Sequence, residues 1–164
     1  MPSPQYSSIV ARGSNPTQTL RLIVLAILVA AAASFLISTR PPSFISVRSD
    51  SDSVSIRTDA LDRGQVRFYS YRDQAGEELR FILGRDSGGR VHAAMDACQR
   101  CYTYHKGYAW SHGYLICKFC GNRYKLEAME SGLASCVAVK LPIQVTRHTV
   151  NIKSAELERQ RRLF

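Results

Sequence analysis

Two Cys-x-x-Cys pairs fifteen residues apart constrain this chain more than any other feature. Cys98-Gln-Arg-Cys101 and Cys117-Lys-Phe-Cys120 fall within the spacing of a four-thiolate metal site. Two cysteines three apart can aim both sulfurs at one ion from a tight turn, and two such turns supply a tetrahedral shell. Gly121 follows the second pair, where a knuckle turn calls for φ > 0 and a Cβ would clash. Between the pairs, Tyr108-Ala-Trp110 and Tyr114-Leu-Ile116 flank Ser111-His-Gly113, which reads as a hairpin leading into the second knuckle. That is a zinc-ribbon-like layout. A four-sulfur shell suits zinc, iron or an iron–sulfur centre, and spacing alone does not separate them.

The chain has five cysteines, so complete disulfide pairing within it is excluded. Disulfides among some of them remain an alternative for an exported protein, and so does a thiol–disulfide redox pair. The redox reading expects a single C-x-x-C at a helix start, whereas two occur here in a β-rich setting. Neither pair is followed by histidine (Tyr102 and Gly121 stand there), which excludes a local c-type haem motif. Cys136 lies sixteen residues past Cys120 and reads as an exchangeable fifth ligand, a redox partner or a buried free thiol. His105 and His112 lie between the knuckles and could lend a nitrogen or line an entry path. His92 and His148 fall in strand-like runs and read as structural. Met95 and Met129 flank the cluster and read as core filling, with copper(I) ligation the lesser alternative.

The 164 residues leave room for one modest domain and an appendage. Residues 1–21 are a Ser-, Pro- and Gln-rich tail with too little apolar surface to order itself. Residues 22–38 carry no charge between Arg21 and Arg40 and read as a transmembrane signal anchor, at the short edge of what spans a bilayer. A cleavable signal peptide cut near Ala31–Ala33 is the alternative, but the apolar run resumes at Phe35. The anchor would place the rest of the chain outside the cytoplasm, on the periplasmic side of an inner membrane. Residues 39–53 read as a linker, with two prolines and alternating Ser and Asp.

Residues 54–153 read as a small, mainly β, antiparallel domain. Short runs at Val54–Arg57, Gln65–Tyr71, Leu79–Leu83, Arg90–Met95, Lys140–Val145 and Thr149–Lys153 are separated by Gly-containing turns, and Pro142 limits its run to an edge. Residues 154–164 read as a short helix capped by Ser154, with Arg159, Arg161 and Arg162 as solvated charges at its end. The net charge is +9, and residues 98–164 carry 11 basic against 4 acidic side chains. For an anchored, exported domain this reads as a solvated surface around thiolates, with no nucleic-acid partner. No general acid–base pair, Ser–His–acid arrangement or phosphate loop is visible, so a metal or electron carrier is favoured over an enzyme.

The series Phe68-Tyr-Ser-Tyr71, Leu79-Arg-Phe81, Met95-Asp-Ala-Cys98-x-x-Cys101, Lys106-Gly-Tyr108 and Ile116-Cys-Lys-Phe-Cys-Gly121 resembles the FtrD-like membrane iron–sulfur domain family over about residues 54–145. The resemblance implies an extracytoplasmic domain that holds an iron–sulfur cluster or iron on Cys98, Cys101, Cys117 and Cys120. Its role would be electron transfer or iron handling beside a membrane iron permease or a periplasmic iron-binding protein. Zinc would occupy the same sulfurs, as a structural ribbon that folds an interaction module. The family's Asn-Pro turn after its fifth cysteine is missing here, where Cys136 is followed by Val-Ala-Val-Lys-Leu-Pro142.

Overall fold

The computed structural model describes residues 16–38, 43–129 and 136–164. Residues 1–15 of the expected tail and 39–42 of the expected linker lie outside the described residues. The chain divides into two units, Met1–Arg40 and Pro41–Phe164.

The first unit contains α1 (Pro16–Ser38). This helix starts six residues before Leu22, so Pro16–Arg21 are helical where a tail was expected. Among the described residues no helix is long and apolar enough to cross a membrane.

The second unit is built on β1 (Phe44–Val47), β2 (Ser53–Arg57), β3 (Gln65–Arg72), β4 (Glu78–Arg85), β5 (Val91–Cys98), β6 (Tyr108–Ser111), β7 (Tyr114–Cys117), β8 (Arg123–Tyr124), β9 (Ala138–Lys140), β10 (Gln144–Val145) and β11 (Thr149–Lys153). A central sheet has the order β1-β3-β4-β5-β9, and two three-stranded sheets have the orders β10-β11-β2 and β6-β7-β8. All pairings are antiparallel except β1 with β3.

The middle of β4 and nearly all of β5 are buried on both faces of the central sheet. Leu79, Phe81 and Leu83 of β4 and Ala93, Met95 and Ala97 of β5 join Val54, Ile56, Val150 and Ile152 in one core. Alternate residues Ile82, Ala94 and Cys98 turn the other way and join Tyr108, Leu115 and Tyr124 of the β6-β7-β8 sheet in a second core. The period of two in β5 thus sends Met95 away from the cysteines and Cys98 toward them. Gly84 makes the second contact possible, since a Cβ there would stand 2.7 Å from Leu126.

The two tight turns of this sheet use one device twice. Asp73 Oδ1 accepts the Glu77 N–H at 2.8 Å, and Asp86 Oδ1 accepts the Arg90 N–H at 2.8 Å. The second oxygen of Asp86 pairs with buried His92 at 2.9 Å, so His92 is structural. His148 lies in the bend between β10 and β11 rather than in a strand, where its carbonyl accepts the Thr58 N–H.

The structure corrects further expectations. The linker contains a strand, β1, because Phe44 packs edge-on against Phe68 (5.8 Å between centroids) and under the Arg80 guanidinium. The Lys140–Val145 run is broken at Leu141–Ile143 into two edge strands, as Pro142 removes a donor. The C-terminal helix is only α2 (Ser154–Glu158), followed by a 3₁₀ turn at Arg161–Leu163. Ser154 is its first residue rather than its cap, and its hydroxyl makes no bond. Arg161 is not a solvated end charge: it reaches Asp73 at 2.8 and 2.5 Å and clasps the C-terminus to the β3–β4 turn. Arg159 pairs with Glu156 at 2.9 Å.

Candidate metal centre

Each Cys-x-x-Cys pair begins where a strand ends. Cys98 is the last residue of β5 and faces the second core, and the chain turns through Gln99-Arg100 to Cys101. A 3₁₀ turn (Tyr102–Tyr104) leads to His105 in the left-handed region and on to β6. Cys117 ends β7, and the Cys117–Cys120 turn feeds β8. It is closed by the Gly121 N–H on the Cys117 carbonyl (2.9 Å), with Gly121 at φ +74.

The two turns meet, and Cys136 joins them. The sulfurs of Cys98, Cys101 and Cys136 lie within 4.8 Å of one another, as do those of Cys101, Cys117 and Cys120. Cys136 Sγ is 3.8 Å from Cys101 Sγ and 3.3 Å from Cys120 Sγ. All five are free thiols, four buried and Cys120 exposed. Sequence spacing identified the four knuckle sulfurs and left Cys136 open. The fold brings it in because β9 pairs with β5, with Ala138 opposite Cys98.

Backbone amides favour negative charge on two of the five sulfurs, Cys98 and Cys120. Burial pushes the Cys98 thiol up, but the N–H groups of Arg100 and Cys101 overcome it, with Tyr108 and Cys101 side chains adding to the effect, and its pKa falls below the ordinary thiol value. In the second pair the N–H groups of Cys120 and Phe119 act on Cys117 in the same way, though burial prevails and that thiol is raised. Cys120 is lowered against its burial by the Asn122 N–H and by its neighbouring thiols. Burial and the crowd of neighbouring thiols raise Cys101. Cys136, hydrogen-bonded to Cys120 and buried, is pushed up to about 11. Two knuckles presenting the same amide pattern to their first sulfur make a pseudo-symmetric cradle.

The surrounding shell holds groups that sequence reasoning did not pick out. The Tyr108 and Tyr124 hydroxyls are buried with no hydrogen-bond partner of ordinary geometry. Both are pushed above the usual phenol value, first by burial and then by charge on the sulfurs, chiefly Cys98 for Tyr108 and Cys136 for Tyr124. Orphaned donors beside thiolates are what an anionic sulfur centre would satisfy. Asp96 Oδ1 accepts the Tyr108 N–H at 2.7 Å, tying the start of β6 to β5. Burial raises Asp96 to about 6 against the pull of that N–H, Arg80 and Lys118. Gly107, at φ +65, fits under this carboxylate: a Cβ there would stand 2.4 Å from Asp96 Oδ2. The signal lay in the Met95-Asp-Ala-Cys98 and Lys106-Gly-Tyr108 motifs, which carry both partners.

The other candidates stand apart. His105 and His112 are exposed, in neither group of converging sulfurs, and His112 Nδ1 meets Ser111 Oγ at 2.8 Å in the β6–β7 turn. Met95 lies in the first core. Met129 is fully buried in the core that holds the cysteines.

The donor set fits a metal. Thiolates sharing one tetrahedral ion at about 2.3 Å stand about 3.8 Å apart, and the sulfurs of Cys101, Cys117 and Cys120 lie within 4.8 Å of one another before any ion draws them in. A family model described as membrane iron–sulfur containing protein, FtrD-like, matches residues 61–164. The match takes in both knuckles, Cys136 and the Arg161 clasp. No curated protein matches the chain.

Proposed function

The chain belongs to the FtrD-like family of membrane iron–sulfur proteins, and from that premise we propose that it is a membrane-anchored, extracytoplasmic carrier of iron. Cys98, Cys101, Cys117 and Cys120 would hold iron, as a thiolate-bound ion or an iron–sulfur cluster. The observation that carries this reading is the convergence of five thiols, with two groups sharing Cys101. When bound, iron supplies one-electron chemistry. The chain's own residues do the rest: the knuckle amides favour charge on Cys98 and Cys120, the buried Tyr108 and Tyr124 hydroxyls are donors that anionic sulfurs would satisfy, and the apolar core of Leu115, Met129 and Ala138 excludes water.

The role is electron transfer or iron handling beside a membrane iron permease or a periplasmic iron-binding protein. Residues 22–38 anchor the chain in the inner membrane as a single span. Three things support an anchor: the absence of charge from Leu22 to Ser38, the exposure of apolar residues all around α1 from Leu20 to Val29, and the membrane description of the family. A helix apolar on every face is at home in lipid.

Anaerobic purification of the full chain tests the metal reading. Iron together with acid-labile sulfide and visible charge-transfer bands is expected for a cluster, and iron with bands but no sulfide for a single ion. A colourless protein with one zinc would refute the redox role and leave a structural ribbon. The 3.3 Å contact of Cys120 with Cys136 favours a second reading, thiol–disulfide exchange. Trapping of thiols in intact cells would then find the two sulfurs partly oxidised.

A further inference from the structure

From Ala97 to Leu126 the chain carries five cationic residues, Arg100, Lys106, Lys118, Arg123 and Lys125, and no acidic one. All five are exposed. Four thiolates around a divalent ion leave about two negative charges, so neutralising the sulfur centre does not use up this basic surface. In the same segment, Tyr104 and Phe119 stack face to face, with centroids 3.6 Å apart and planes 11° from parallel. The rings are 53% and 47% exposed. Tyr104 stands three residues beyond Cys101, and Phe119 adjoins Cys120, the exposed member of the five thiols. An exposed aromatic pair beside the exposed Cys120, in a segment whose charged residues are all cationic, has the composition of a transient protein interface.

We propose that this face docks an acidic protein, whose carboxylates meet the lysines and arginines while an apolar residue covers the Tyr104–Phe119 pair. The docked protein would exchange electrons or metal with the centre through the Cys120 edge. This rests on the metal reading above for what is exchanged, but not for the docking itself. A lipid headgroup surface is disfavoured because the two rings stack on each other in a flat patch and offer no apolar wedge to insert.

The test uses the full chain in zwitterionic nanodiscs, loaded with zinc, and a fluorescently labelled acidic plant-type ferredoxin as probe. Fluorescence anisotropy should show saturable binding that weakens about tenfold or more between roughly 20 and 300 mM salt. The Lys106→Glu/Arg123→Glu double variant should weaken it by about tenfold. Phe119→Ala should weaken it by about five- to tenfold, and Lys153→Glu, on β11, should leave it unchanged. Zinc content is measured for every variant. Because Phe119 lies inside a knuckle, the Lys106/Arg123 pair keeps the test decisive if Phe119→Ala loses metal. Equal binding of basic cytochrome c, or indifference to the charge reversals, would overturn the proposal. So would association with phosphatidylglycerol vesicles in the absence of ferredoxin binding. Zinc carries no electrons, so a negative result here leaves the iron reading standing, and a zinc-only protein leaves the docking result standing.

Discussion

Replacing Gly107 by alanine tests how the first knuckle is held to the central sheet. Alanine at φ +65 carries a backbone penalty of about 1–2 kcal/mol. Its Cβ would also stand 2.4 Å from Asp96 Oδ2 and 2.7 Å from Cγ. The carboxylate must therefore move and release the Tyr108 N–H it accepts at 2.7 Å. Losing a buried bond to a charged group adds about 1.5–3 kcal/mol. The total, about 3–5 kcal/mol, is a large share of the ~5–15 kcal/mol that stabilises a domain. Gly113→Ala is the matched control. It has φ +79 and nothing within 4 Å of its Cβ position, so it should lose only the backbone part, about 1–2 kcal/mol. Trp110, the single tryptophan, sits on β6 beside this contact, so its fluorescence follows urea unfolding of the metal-loaded protein. Equal midpoint shifts for the two variants, at equal slopes, would refute the close-approach argument. Combining Gly107→Ala with Asp96→Ala should recover about 1–2 kcal/mol relative to the sum of the singles.

Two further outcomes follow from the same geometry. Cys101 belongs to both groups of converging sulfurs, and Cys136 stands outside the two knuckles. Cys101→Ser should therefore abolish metal retention on gel filtration, while Cys136→Ser keeps it; in metal-free wild type a mild disulfide oxidant should link Cys120 to Cys136, mapped by peptide mass, and bound metal should protect Cys120. Asp86 is held below its ordinary pKa by His92, chiefly through their hydrogen bond, and Asp73, despite burial, by Arg161 and the Glu77 N–H. Since the folded pKa is the lower one, their stabilisation is complete above the unfolded carboxyl value of about 4 and is lost as pH falls through the folded values; thermal unfolding should show a drop below about pH 4, shallower in Asp73→Asn, preceded by a gain as pH falls from neutrality toward 4, because Asp96, raised to about 6, takes up its proton first in the folded state.

The β architecture was legible because alternation and turn chemistry agree locally: Asp73–Gly76 and Asp86–Gly89 punctuate runs that carry Val66, Phe68, Tyr69, Tyr71, Phe81, Ile82 and Val91. The four knuckle cysteines were legible because their geometry is local, three residues apart. Cys136 was not, since nothing in its flanking sequence states that β9 will pair with β5. β1 was hidden for a related reason. Phe44, Ile45 and Val47 are strand formers, but a run of four between a Pro-Pro and a Ser/Asp stretch is too short to stand out, and the Phe68 and Arg80 side chains that fix it come more than twenty positions later. The Arg161–Asp73 clasp spans 88 positions, and helix-end arithmetic accounted for that arginine just as well. Nothing local to Asp96 states what its buried carboxylate does, since its partner, the Tyr108 N–H, and the close approach of Gly107 come from a different strand.

The pairing of β2 with β11, Ser53 opposite Lys153, has a consequence for the order of events in folding. The first and last strands of one sheet are joined across about a hundred residues, and closing a loop of that length costs on the order of 4 kcal/mol in chain entropy. That sheet cannot form until the final residues have been made. The knuckles need only the stretch from Cys98 to Cys120, which is complete some forty residues earlier. Because β2 and β11 cover the first core while the cysteines lie in the second, on the other face of the central sheet, the knuckles do not depend on that closure. The sulfur site and the outer sheet are therefore separable steps, one local and early, the other long-range and last.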